Sequence, residues 1–191
     1  NLVALEKGLP NLYKHIENMT QNYKLPCVVA INRFPTDSEA ELQLVEDKCR
    51  ELGVNVALCE VWGKGGEGGI ALANEVVRLC DEPNDFTFTY PDEYSLFDKI
   101  NAVAQKIYGA DKANFTPKAR KEIEKLQQIG FDNLPVCMAK TQYSLSDDPT
   151  KLGRPSGFDI TVRSAKVSAG ARFVVCLTGD IMTMPGLPKV P

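Results

Sequence analysis

Cys27-Val28-Val29-Ala30-Ile31 is an unbroken apolar run rich in β-branched residues, the pattern of a strand buried on both faces. Beyond it, Thr36 followed by Glu39 spells a capping box, and Ala40, Leu42, Leu44, Val45, Cys49 and Leu52 continue at helical spacing to a stop at Gly53. Val54 to Val61 supplies a second strand. Strand, capped helix and strand in this order predict a right-handed crossover that leaves the two strands parallel in one sheet.

Working outward, residues 11–23 place Leu12, His15, Ile16, Met19 and Tyr23 at three-and-four spacing, a helix that sets His15 on or beside its apolar face in a structural role. Ile70 to Leu79 resumes helical spacing after the second strand. From Asp81 to Glu93, Pro83, Asn84, Pro91 and Asp92 surround a short aromatic stretch, the composition of an extended connection or a subdomain boundary. Ser95 then opens a helix, Thr116-Pro117 caps and starts another that ends at Gly130, and short strands follow at Val136–Ala139, Ile160–Val162 and Phe173–Leu177. The fold class expected is α/β: a mainly parallel sheet with flanking helices over residues 1–92, then a smaller mixed α/β subdomain over residues 93–191.

Composition narrows the function. A hydrophobic share of 43% with 25% charged residues fits a globular chain of 191 residues and disfavours disorder and coiled coil. The longest apolar runs fall far short of the ~20 residues that span a bilayer, so no membrane segment is expected. The 22 basic residues are interspersed with 25 acidic ones, for a net charge of −3, which gives nucleic acid no basic footprint. Six dispersed cysteines form no CxxC pair and fit a reducing, cytoplasmic setting; with His15 as the single histidine, no metal site is expected. The chain begins at Asn1 rather than Met and ends on a turn-forming segment, as expected of a fragment of a longer protein.

Two features bear on chemistry. Gly63-Lys64-Gly65-Gly66-Glu67-Gly68-Gly69 follows a strand and precedes a helix, where backbone N–H groups can cradle an anion. Lys64 is followed by Gly65 rather than Ser or Thr, so the P-loop pattern is absent, and either a flexible connection or an anion loop fits. Phe34 and Trp62 each lie just beyond the carboxyl end of a strand, on the edge where open parallel sheets bind ligands. Two rings there would sandwich a planar ligand across a gap of roughly 7 Å, twice a stacking distance of about 3.5 Å; alternatively they close the sheet edge as packed aromatics.

Phe131-Asp132-Asn133-Leu134-Pro135-Val136-Cys137-Met138-Ala139-Lys140-Thr141, the Asp147–Pro155 loop and Met182-Thr183-Met184-Pro185-Gly186-Leu187-Pro188 resemble formate–tetrahydrofolate ligase, and Ala30–Asp37, Trp62–Gly69 and Gln105–Asp111 extend the match over nearly the whole chain. The resemblance implies an ATP-dependent ligase that makes 10-formyltetrahydrofolate from formate and tetrahydrofolate through formyl phosphate, with Mg2+ accompanying ATP. It implies that Phe34 and Trp62 hold the pterin with Pro35 and Leu58 nearby, and that Ser146, Asp148, Thr150 and Leu152 lie on the adenine side of ATP. It also implies that the phosphate-binding P-loop lies upstream, in an N-terminal part absent from these residues, so that this piece alone is not expected to cleave ATP, and that the enzyme is a homo-oligomer. The competing expectation is a non-catalytic ligand-binding or scaffold module of the same fold.

Overall fold

A computed structural model describes residues 1–179, which fall into two compact units, Asn1–Phe88 and Thr89 onward. The Met182–Pro188 string, and with it the turn-rich Thr183–Lys189 segment, lies outside the described residues.

In the first unit, β1 (Val28–Asn32) and β2 (Asn55–Cys59) pair in parallel, with Val28 opposite Asn55 and Asn32 opposite Cys59. The crossover between them is α2 (Glu39–Glu51), as the sequence predicts, but its cap is Ser38 rather than Thr36. Two overlapping capping boxes are written in Thr36-Asp37-Ser38-Glu39-Ala40-Glu41. The structure uses the second because Asp37 turns back: its carboxylate accepts the Phe34 N–H at 2.8 Å, and its own N–H donates to the Phe34 carbonyl at 3.0 Å. That turn occupies residues 34–37 and leaves Ser38, in extended backbone, to accept the Glu41 N–H while Glu41 accepts the Ser38 N–H. Gly53 ends the crossover with φ of +72°, a left-handed conformation natural to glycine.

Helix α1 (Leu2–Glu17) runs through Pro10 and continues as a π-turn over Asn18–Asn22, so the helix begins well before the expected residue 11. His15 is exposed; the buried positions of this turn are Lys14 and Ile16, one residue to either side. Ile16, Cys49 and Val54 make a small core that joins α1 and α2 to the strand edge. After β2 the chain leaves extended geometry at Glu60, with ψ of 25°, and Val61 opens the one-turn helix α3 (Val61–Lys64) instead of prolonging the strand. A 3-10 turn over Gly65–Gly69 leads into α4 (Ile70–Cys80).

The second unit holds α5 (Leu96–Ala102), extended by a π-turn to Tyr108, then β3 (Lys112–Phe115), α6 (Pro117–Gln128), β4 (Val136–Ala139), β5 (Asp159–Ser168) and β6 (Phe173–Thr178). Its sheet has the order β3-β5-β6-β4, with β5 and β6 antiparallel and the two outer pairs parallel. Fully buried Leu96, Ile100, Ile123, Ile160, Val162 and Val174 form the centre of its core. Strand β5 is longer than the expected Ile160–Val162 because its alternation is broken by a bulge between Val162 and Ser164. Glu122 on α6 satisfies that irregularity, accepting both the Ser164 hydroxyl and the Ala165 N–H at 2.9 Å. The fold is therefore mixed α/β, with one parallel sheet and one mixed sheet flanked by helices.

The cysteines report on this packing. Cys49 and Cys176 are buried, and desolvation pushes the Cys176 thiol up to about 12, whereas Cys80 and Cys137 are exposed. Titration of the native protein with a chromogenic disulfide at pH 8 is expected to label Cys80 and Cys137 first and to reach Cys49 and Cys176 only in denaturant. Early labelling of Cys176, read by peptide mass mapping, would show that the β4–β6 pairing opens in the native state.

Candidate functional site

Parallel pairing of β1 and β2 brings their carboxyl ends, Asn32 and Cys59, to one edge of the sheet, and the Arg33 N–H extends the ladder by donating to the Cys59 carbonyl at 3.0 Å. Phe34 and Trp62 leave that edge side by side, with ring centroids 6.1 Å apart and planes tilted by 50°. They do not form the parallel 7 Å gap expected from sequence. Nor are they packed: Phe34 is 44% exposed and Trp62 67% exposed, so the edge-closing reading fails at both positions. Insertion of a planar ring between them requires one ring to rotate, and Trp62, on a one-turn helix, is the more exposed of the two.

Phe34, Pro35 and Trp62 line a cleft of about 220 Å³ together with Arg33, Glu60, Gly63 and Lys64. Leu58, the remaining residue of the expected pterin set, faces a different groove of about 380 Å³ along β2, lined also by Glu46, Arg50 and Glu75. The floor of the aromatic cleft is charged. Lys64 Nζ donates to Glu60 Oε2 at 2.6 Å, Arg33 Nη1 stands 4.0 Å from Glu60 Oε1, and a second guanidinium nitrogen pairs with Glu39. The hydrogen bond from Lys64, with the nearby Arg33 charge, lowers the Glu60 carboxyl below the usual range, so it is ionised throughout the neutral region.

The glycine cluster has a structural explanation that the sequence alone leaves open. A Cβ at Gly68 would lie 2.5 Å from the carbonyl carbon and oxygen of Glu60 and 2.9 Å from the Val61 nitrogen, so glycine is required for the loop to press against the start of α3. The Glu60 N–H donates to the Gly68 carbonyl at 3.0 Å, and the Glu60 carbonyl accepts from Gly63 and Lys64. The loop thus acts as a buttress behind Glu60 and Trp62. It does not fit a triphosphate: Glu60 neutralises the Lys64 charge, Glu67 places a second carboxylate in the turn, and the Gly63–Gly69 loop holds no hydroxyl residue to meet a phosphate-bound cation.

In the second unit, the expected adenine-side residues separate. Ser146 is 1% exposed and its hydroxyl accepts the Asp148 N–H at 3.1 Å, while Asp148 in turn accepts the Thr150 N–H and hydroxyl. These are local loop-shaping bonds. Leu152 is exposed, and among Ser146, Asp148, Thr150 and Leu152 only Asp148 lines the cleft of about 500 Å³ formed with Thr141, Tyr143, Pro149, Thr161 and Arg163. Lys140, whose ammonium is lowered by burial, anchors this loop through the carbonyls of Thr141 and Ser144. Sequence reasoning did not single out Lys140 or Glu60; Glu60 was legible only as the residue between a strand and the tryptophan.

Among the described residues no cluster of His, Cys, Asp and Glu side chains suited to a metal ion is present, and no helix is long and apolar enough to cross a membrane. The first unit is thus an α/β unit with an aromatic cleft at the carboxyl edge of its parallel sheet, the edge at which open α/β sheets commonly bind ligands. More narrowly, the family model for formate–tetrahydrofolate ligase matches residues 1–191, and the chain belongs to that family.

Proposed function

We propose that the cleft between Phe34 and Trp62 holds the pterin of tetrahydrofolate in an ATP-dependent ligase that forms 10-formyltetrahydrofolate from formate. The observation that carries this reading is a pair of large aromatics, both solvent-exposed and 6.1 Å apart, at the ligand-binding edge of a parallel sheet. Exposed aromatics of that size are costly to leave in water, and a planar ligand is what two adjacent rings accommodate. Pro35 stands beside the pair in the same cleft. Leu58 contributes through the strand that carries the site rather than by facing that cleft.

Formate is activated by ATP as formyl phosphate and passed to the folate. As the resemblance implies, ATP and Mg2+ binding is assigned to a P-loop region outside these residues and the folate site to this segment, whose glycine cluster pairs Lys64 with Glu60. Of Ser146, Asp148, Thr150 and Leu152, Asp148 lines the cleft to which we assign the adenine side; a cytoplasmic homo-oligomer is the assembly that the resemblance implies. Trp62 is the single tryptophan, so its emission reports the cleft directly. Titration with tetrahydrofolate, corrected for ligand absorbance, is expected to quench that emission saturably, whereas formate leaves it unchanged. Calorimetric binding of tetrahydrofolate with no change in Trp62 emission would place the pterin elsewhere.

A further inference from the structure

We infer that Glu60 is the specificity-determining residue of the aromatic cleft, its carboxylate taking the 2-amino-4-oxo edge of the pterin while Lys64 and Arg33 face the ring carbonyl. The inference rests on the assignment of the pterin to this cleft and adds to it the group that tells a pterin from other planar rings. Stacking alone is tolerant of ring identity, because every aromatic ligand presents a π-face. Selection must come from the edge, and the polar groups lining this cleft are Arg33, Glu60 and Lys64.

Their chemistry matches that edge in kind and number. The 2-amino group and the adjacent ring N–H are two parallel donors, which an ionised carboxylate accepts in a bidentate manner. The 4-oxo group is an acceptor, suited to an ammonium or a guanidinium. Glu60 has room for the contact: Oε2 receives one hydrogen bond from Lys64 at 2.6 Å, and Arg33 stands at 4.0 Å from Oε1, so acceptor capacity remains on both oxygens. The carboxylate is also preorganised. Its backbone is fixed by bonds to Gly63, Lys64 and Gly68, and its side chain is bonded to Lys64 of the one-turn helix α3, with Arg33 from the end of β1 within 4.0 Å of its other oxygen.

The test compares tetrahydrofolate with its 2-desamino-2-methyl analogue, which stacks equally but lacks one donor, by calorimetric titration of the protein and its variants. The unaltered protein is expected to prefer tetrahydrofolate by about 10- to 150-fold, the worth of a hydrogen bond to a charged group. Glu60→Gln is expected to compress that preference to about threefold or less, since its amide offers one acceptor in place of two. Trp62→Ala is expected to weaken both ligands alike and keep their ratio. Equal affinity of the unaltered protein for the two ligands overturns the inference without requiring any variant to fold. Retention of the full preference in Glu60→Gln, or equal weakening of both ligands, also overturns it, the latter outcome making Glu60 a brace for the loop. Undiminished binding by Trp62→Ala would instead overturn the pterin assignment itself, so the two failures are told apart.

Discussion

Trp62→Ala is expected to weaken tetrahydrofolate binding by roughly 5- to 150-fold, the equivalent of about 1 to 3 kcal/mol of stacking for a base-sized ring. The substitution isolates binding from folding because Trp62 is 67% exposed and supports no core. The lower end of the range applies if Phe34 holds one face of the pterin unaided. The upper end applies if the rings must close on both faces, and from planes tilted by 50° that closure involves a rotation whose cost is drawn from the same interaction. Calorimetry on the variant provides the measurement, with its melting temperature as the control. Unchanged affinity in a folded variant would return Trp62 to an exposed aromatic without a ligand.

The crossover was readable because each of its parts obeys a local rule: a β-branched apolar run for β1, a mostly apolar run for β2, a cap signal before α2 and a glycine after it. Reading failed where two local rules competed. Thr36 and Ser38 both satisfy the capping pattern, and the choice depends on Asp37 folding back onto Phe34, a contact that no periodicity reveals. The helix expected over residues 11–23 begins at Leu2 instead, and the chain carries Pro10 within α1, where a proline is ordinarily disfavoured. In β5 the bulge shifts the alternation by one residue, and the stabilising partner, Glu122, comes from a helix some forty positions earlier in the chain.

The site was legible as an edge and opaque as a geometry. Parallel strands of known polarity suffice to predict that Phe34 and Trp62 share one edge. Their tilt and the placement of Leu58 along another groove are set by packing between segments distant in sequence, and Ser146 is buried at 1% exposure within its own loop. The charged floor was missed for a related reason. Arg33, Glu60 and Lys64 come from two strand ends and one turn of helix, and scattered charges resemble a solvated surface until the sheet brings them together.

Gly68→Ala is expected to destabilise the first unit by about 1 to 3 kcal/mol, the range for overpacking a closed contact, and to lower tetrahydrofolate affinity by at least about tenfold. Its added methyl would meet the Glu60 carbonyl at 2.5 Å, about 1 Å inside an ordinary van der Waals separation, and both contacted atoms are backbone, so no side chain can swing aside. The relief must come from displacing residues 60–62, which carries Glu60 and Trp62 away from Phe34. Gly66→Ala is the matched control. Gly66 lies in the same turn with nothing within 4 Å of its Cβ position and no positive φ, so alanine there reduces loop freedom without a clash. Tetrahydrofolate affinity that survives Gly66→Ala and falls in Gly68→Ala identifies the loop as a rigid buttress. Equal losses in both variants would show instead that the cleft depends on the mobility of the glycine turn, and the close approach of Gly68 to Glu60 would then not be what sets the aromatic pair in place.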